Sequence, residues 1–207
     1  MAIPVNGQKF FEKDLIDKAI DGVLSNDNDN DNDNDLTEQD LNRVTVAAQV
    51  QFGIDTFRAQ AAGMSMDELK GEKHSSARLG RLLELTGQGR PARCHAHAII
   101  SGNPHHAAVL RALMARLSIR IDDPDNGCWL PKNTAATPHP AFPRAIPHSR
   151  IHRYNYYFWL RFRLGSIRQT AIFRKDLQLI SKHLQQHTCP EYVMLTKGDG
   201  LPNRGRV

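Results

Sequence analysis

The stretch RCHAHAIISGNPHH, residues 93–106, holds four of the ten histidines in this 207-residue chain. Its segment CHAHAIIS is short and mostly apolar, which predicts a β-strand. His95 and His97 are two positions apart, so they would lie on the same face of that strand. Such crowding leaves two interpretations open: the imidazoles hold or activate something, or they are surface residues that cluster without a function.

The segments that follow predict how this strand is completed. DDPDNG (122–127) is a turn pattern, and CWLP (128–131) is a second short strand. Pro147 then begins a predicted helix, HSRIHRYNYYFWLRFRL. The order strand, turn, strand and helix is a ββα unit, in which the strand end and the first turns of the helix converge.

The predicted helix carries two histidines with chelating spacing. His148 and His152 are at positions i and i+4, so their Cβ atoms would be about 6 Å apart on one helix face. That separation allows both rings to bind one metal ion. His183 and His187 repeat the spacing in the last predicted helix, so the pair alone is weak evidence and the order of the segments carries the argument.

In this order the motifs resemble the AHH family of the HNH nuclease superfamily. Residues 94–160 carry the resemblance, in CHAHAIISG, DDPDNGCWLPKN and PHSRIHRYNYYFWL. It implies a mainly helical α+β fold built on a ββα-metal core, a divalent metal ion (Mg, Mn or Zn) and hydrolysis of phosphodiester bonds, in DNA more than in RNA. Because such domains are often bacterial toxins, the resemblance also implies an antibacterial effector with a cognate immunity protein as partner.

The resemblance assigns catalytic or metal-binding roles to His97, Asn126, His148 and His152. Asn126 would orient a strand histidine or touch the metal, and the two histidines of the helix would bind the ion. Ala98 departs from the family's A-H-H triplet, which has a second histidine there. Because an alanine cannot accept a proton, we expect His97 to act as the general base, with His95 assisting.

Charge is distributed unevenly along the chain. Residues 1–89 carry 9 Lys+Arg against 16 Asp+Glu, whereas residues 90–207 carry 18 against 6. A basic half indicates a polyanionic partner such as nucleic acid, although a basic surface that only maintains solubility is the alternative. Phosphate contacts are expected from four arginines on or beside the predicted ββα helix: Arg150, Arg153, Arg161 and Arg163.

Three regions are predicted. Residues 1–88 form an acidic helical region that contains a low-complexity loop at 26–35. Residues 89–165 form the nuclease core, and residues 166–207 form a C-terminal helix and a loose tail. Within the first region, helices are predicted over residues 8–24, from about Thr37, and from Ser65 to Leu85, where SMDE is a capping box.

Composition also bears on location. The chain has no run of 18 apolar residues and no charged and apolar leader, so we expect neither a membrane span nor a secretory signal. Three cysteines without a C-x-x-C motif do not indicate a disulfide framework, which favours the cytoplasm of the producing cell. An effector of this kind would be secreted without a signal peptide, with type VI secretion expected, and would act in the target-cell cytoplasm.

Two other functions remain open at this point. The chain could be a non-catalytic nucleic-acid-binding module with a structural metal site, which Ala98 favours slightly because a lost base would leave the fold intact. Alternatively, the acidic N-terminal region could be the functional part, as an adaptor or a self-inhibitory mask.

Overall fold

The computed structural model describes residues 13–26, 36–102 and 105–202. The chain divides into two compact units, Met1–Asp55 and Thr56–Val207. The described helices and strands are α1 Leu15–Asn26, α2 Glu38–Ala59, α3 Met66–Gly71, α4 Ser76–Leu85, β1 Cys94–Ala98, α5 Ala108–Arg116, β2 Gly127–Pro131, α6 Tyr154–Leu164 and α7 Thr170–Gln186. Most of the predicted acidic loop at 26–35 lies outside the described residues.

The first unit contains α1 and most of α2, which confirms a helix at both predicted places. Helix α1 begins at Leu15, and residues 8–12 of the helix predicted over 8–24 lie outside the described residues. Asp14 caps α1, since its Oδ1 accepts hydrogen bonds from the backbone N–H groups of Ile16 and Asp17. Thr37 caps α2 through its hydroxyl oxygen, which accepts from the N–H of Asp40 at 3.2 Å. Both helices therefore start at residues that satisfy otherwise unpaired amide groups.

The second unit is built around a two-stranded antiparallel sheet, and both strands were predicted. Cys94 pairs with Pro131 and Ala98 with Gly127. The side chains of β1 alternate between two faces, so Cys94, Ala96 and Ala98 share one and the two histidines share the other. The first face packs against α4 in a core formed with Leu79, Leu83 and Trp129.

Helix α4 approaches the sheet very closely at Gly127. A Cβ atom on Gly127 would lie 2.6 Å from Cδ1 of Leu79, so a side chain there would force the buried side chain of Leu79 to shift. Close contact of this kind explains why the turn before β2 ends in glycine.

The main core of the second unit lies among α5, α6 and α7. Side chains of α5, α6 and α7 bury themselves against each other and against β2, among them Leu110, Met114, Tyr156, Leu160, Phe173, Leu177 and Leu130. Helix α6 ends at Leu164, just before the predicted break at Gly165 and Ser166. No helix in the described part of the chain is long and apolar enough to cross a membrane.

The single helix predicted from Ser65 to Leu85 was wrong, because two helices occupy this stretch. The capping box at Ser65 and Glu68 is present, but α3 ends at Gly71 and α4 begins at Ser76. The buried carboxylate of Asp122 accepts a hydrogen bond from the N–H of Ser75, a group that a continuous helix would have used internally. A contact distant in sequence therefore sets this boundary.

Candidate metal centre

Three histidines from two separate segments meet beside the sheet. His97 lies on β1, His148 begins a short 3₁₀ turn (His148–Arg150), and His152 follows that turn. The prediction that His148 and His152 share one face of an α-helix was wrong, because α6 begins only at Tyr154. Arg153 has an extended backbone (φ −116°, ψ 164°), which separates the histidine turn from the helix.

The three rings nevertheless converge as a chelating set. One nitrogen from each of His97, His148 and His152 lies within 4.8 Å of the other two. The Nε2 atoms of His148 and His152 are 3.3 Å apart, and the ring centroid of His97 is 5.0 Å from each of the other two. Three imidazoles at this spacing can bind one metal ion.

Hydrogen bonds determine which nitrogen of His97 faces the cluster. The hydroxyl of Tyr156 donates its proton to the carbonyl of Ile99 at 2.8 Å, so it can only accept from Nε2–H of His97, 3.3 Å away. The lone pair of His97 is then on Nδ1, which is buried and has no hydrogen-bond partner among the described residues. A buried polar atom without a partner costs about 1–3 kcal/mol, and a bound cation would satisfy it.

The other two histidines are also held from outside the cluster. Nδ1 of His152 lies 2.9 Å from the hydroxyl of Tyr157, and Nδ1 of His148 lies 3.4 Å from Nδ1 of His95. Each contact occupies the outer nitrogen and leaves Nε2 for the centre. Outer partners of this kind fix the ring orientation of metal-binding histidines.

The electrostatics of the cluster favour neutral rings. Burial, and then the neighbouring imidazoles, lower the pKa of His97 well below its usual range and the pKa of His148 to about 4. Burial also lowers the pKa of His152. At neutral pH the rings therefore keep the lone pairs that a metal ion needs.

Asn126 is fully buried but does not hold a histidine ring. Its amide donates to the carbonyls of Ile100 and Ile121, and its Oδ1 accepts from the N–H of Ile100. Because both amide hydrogens are used, the expected direct orientation of a histidine is not what the structure shows. Asn126 instead ties the segment after β1 to the turn before β2.

The four arginines expected to bind phosphate lie in different surroundings. Arg150 is exposed, Arg153 donates to the carbonyl of Met194, and Arg161 is partly buried. Arg163 forms an ion pair with Asp176 that joins α6 to α7. Of the four, Arg150 is the most accessible from solvent.

A cavity of about 510 Å³ opens beside the cluster. His95 and His148 line it from the metal side, and His74, Arg81 and Arg90 line it from α4 and its flanking segments. The sequence interpretation missed these last three because they precede the ββα unit and carry no spacing pattern. Only contacts distant in sequence bring them to the centre.

The class of ββα-metal nucleases is defined by two short strands, a following helix and a cluster of histidines between them. A sequence profile of a nuclease family of the HNH/ENDO VII superfamily with conserved AHH matches residues 79–187, more than half of the chain. The protein belongs to this AHH family and is therefore a phosphodiester hydrolase. No curated protein and no solved structure matches the chain significantly.

The chain departs from the family's conserved AHH at its third position. Ala98 is buried in the core shared with Leu79 and Leu83, on the face of β1 that packs against α4. Strand alternation therefore directs Ala98 away from the face that carries His97. The chain thus keeps three converging histidines and lacks the family's second histidine at position 98.

Proposed function

We propose that the protein is a metal-dependent endonuclease in which His97, His148 and His152 hold one divalent ion. The buried, unpartnered Nδ1 of His97 beside two further imidazoles is the observation that carries this proposal. When bound, the ion stabilises the charge that develops on the scissile phosphate and its leaving oxygen. His97 is then a ligand, which differs from its expected role as the general base.

The donor set bears on the identity of the ion. Three imidazole nitrogens suit Zn²⁺ and other transition metals, whereas Mg²⁺ prefers oxygen ligands. Of the three expected ions, we propose Zn²⁺ or Mn²⁺ ahead of Mg²⁺.

The surroundings of the centre support a nucleic-acid substrate. Arg81 and Arg90 are exposed at the cavity, and Arg150 is exposed next to the histidine turn. Guanidinium groups at these positions can contact the phosphates on either side of the cleaved bond. The preference for DNA over RNA is a proposal that rests on the family resemblance.

A structural metal site in a binding module is the second candidate, and Ala98 favours it. Structural zinc sites are usually closed by four protein ligands, whereas catalytic sites keep an open position. The described residues supply three ligands, and a cavity adjoins them. This arrangement favours catalysis.

A cleavage assay on the full chain tests the proposal. Supercoiled DNA and RNA are incubated with protein that has been stripped of metal, and Zn²⁺, Mn²⁺ or Mg²⁺ is then added back. We expect nicking with Zn²⁺ or Mn²⁺ and inhibition by a chelator. Metal binding without cleavage of either nucleic acid would support the binding module instead.

We propose an antibacterial effector as the biological role, because the family resemblance implies it. The protein would be cytoplasmic in the producing cell, leave it without a signal peptide and act in the target-cell cytoplasm. Its immunity protein would present an acidic face to the basic part of the chain. Expression in a bacterial cytoplasm should stop growth and degrade nucleic acid, whereas a variant with His148→Ala and His152→Ala should be harmless.

A further inference from the structure

A histidine and an aspartate form a hydrogen-bonded pair beside the metal centre. Nδ1 of His74 lies 2.5 Å from Oδ1 of Asp122, which is fully buried. The other oxygen of Asp122 accepts from the N–H of Ser75 at 2.9 Å and from Nε of Arg78 at 2.7 Å. A carboxylate fixed in this way accepts Nδ1–H of His74, so the lone pair of the neutral ring is on Nε2.

The pair borders the same cavity as the metal centre. His74 lines this cavity together with His95 and His148. The segment after β1 also closes on His74, since a Cβ atom on Gly102 would lie only 2.8 Å from the Cβ of His74.

The other imidazoles at the centre already have partners. His97 donates Nε2–H to Tyr156, which leaves its unpartnered Nδ1 as the nitrogen that can bind the ion. When Nε2 of His148 faces the ion, its Nδ1–H donates to Nδ1 of His95. His95 then carries its own proton on Nε2, so neither ring has a nitrogen free to accept a proton from water. A proton acceptor for water must therefore come from another element.

His74 and Ala98 both lie next to α4. Ala98 lies on the face of β1 that packs against α4, and His74 stands two residues before α4 begins. We propose that His74, oriented by Asp122, is the general base of the nuclease reaction and supplies from outside the strand the imidazole that position 98 lacks. This inference rests on the proposed nuclease function.

In the proposed step, His74 activates the attacking water molecule. The oxygen of a water molecule forms a bond to phosphorus while Nε2 of His74 takes the proton of that water. The bond between phosphorus and the leaving oxygen breaks, and that oxygen keeps the electron pair and gains a proton from solvent. The imidazolium that forms is stabilised by the carboxylate of Asp122, as in other pairs of a histidine and a buried aspartate.

The tautomer of His74 can be measured without activity. Long-range ¹H–¹⁵N spectra of the metal-free protein should show His74 as the Nδ1–H tautomer, with the Asp122→Asn variant used to assign the effect of the carboxylate. If His74 carries its proton on Nε2 near neutral pH, the ring cannot accept one from water and the proposal is overturned.

Cleavage measurements then test the role directly. His74→Gln should lower the single-turnover rate by at least ~10²-fold, the usual scale for a general base, while Zn²⁺ or Mn²⁺ affinity stays at the wild-type value. His105→Gln, a change at an exposed histidine, serves as the matched control. Imidazole added to His74→Ala should restore part of the rate, which a purely structural role would not produce.

The outcomes separate this inference from the nuclease function. Wild-type rates in His74→Gln would refute the base role and leave the nuclease intact. Loss of metal affinity in His74→Gln would also refute it, by making His74 part of the metal site. A wild-type protein that cleaves nothing with any of the three metals would overturn both proposals.

Discussion

The second unit contains two polar clusters of opposite character. The histidine cluster consists of His97, His148 and His152. These are three groups of the same kind, and no carboxylate is among their described hydrogen-bond partners. The acidic cluster consists of Glu72, Asp122, Asp123 and Asp125, and four arginines pair with it: Arg58, Arg78, Arg120 and Arg174.

The difference separates a ligand site from a structural one. Every carboxylate of the acidic cluster has an arginine partner, so that cluster is electrically complete without any ligand. The histidine cluster has a buried nitrogen without a partner and pKa values lowered mainly by burial, so a cation would complete it. Changes in the acidic cluster should therefore alter stability, and changes in the histidine cluster should alter metal binding and catalysis. Asp122 is the exception in the acidic cluster, because it also orients His74.

The largest effect is expected from removing two ligands at once. The variant with His148→Ala and His152→Ala should lose Zn²⁺ or Mn²⁺ binding and fall to background cleavage, because one imidazole cannot hold the ion. Isothermal titration, plasmid nicking and circular dichroism measure affinity, activity and fold. The same change at His183 and His187 should leave activity near the wild-type value, and full activity in the first variant would rule out this metal centre.

The role of His97 is the sharpest point at which the structure and the sequence interpretation differ. If His97 is a ligand, His97→Ala should weaken metal affinity by more than the ~10–100-fold typical of losing an outer partner. His95→Ala should weaken it less, because His95 acts through His148. Metal affinity that survives in His97→Ala together with a loss of cleavage would instead restore His97 as the general base.

The features that the sequence predicts correctly are those set by interactions between residues close together in the chain. Strand β1, strand β2 and the grouping of His97 with His148 and His152 were expected, since short apolar runs and the motif order define them locally. The 3₁₀ turn at His148 was not expected, because an i, i+4 spacing suits an α-helix equally well and only the extended backbone at Arg153 excludes one.

Interactions distant in sequence were the ones the pattern could not reveal. His74 and Asp122 are 48 positions apart, and the turn motif that contains Asp122 gives no indication of His74. Asn126 was expected to orient a strand histidine or touch the metal, but its amide donates to the backbone carbonyls of Ile100 and Ile121, which only the folded chain brings together. Local periodicity contains no information on such pairs.

A change in the acidic cluster should affect stability and leave the metal site intact. Asp123→Ala removes one of the two carboxylates that pair with Arg58 and Arg174, Asp125 being the other, and breaking a buried ion pair costs up to about 3–5 kcal/mol. Chemical denaturation measures this loss, and metal affinity should stay at the wild-type value. Asp67→Ala, which breaks an exposed pair with Lys70, is the control and should leave the denaturation midpoint near the wild-type value.

A smaller effect is expected from the hydroxyl that orients His152. Tyr157→Phe removes the contact to Nδ1 of His152 and keeps the ring in the core, so metal affinity should fall by ~10–100-fold while the fold is retained. Phe162→Ala, a change at an exposed side chain of the same helix, should leave affinity unchanged. Equal affinities in all three proteins would show that His152 needs no outer partner.

The smallest effect concerns the stability of the metal-free protein as a function of pH. Because burial lowers the pKa of His148 from 6.5 to about 4, the folded chain binds fewer protons than the unfolded chain between those values. Its stability should therefore be fully present above pH 6.5 and decline as the pH falls toward 4. In the presence of a chelator, the melting temperature should fall less steeply over this range in His148→Ala than in the wild type. An equally steep fall in the variant would mean that groups outside the histidine cluster cause it.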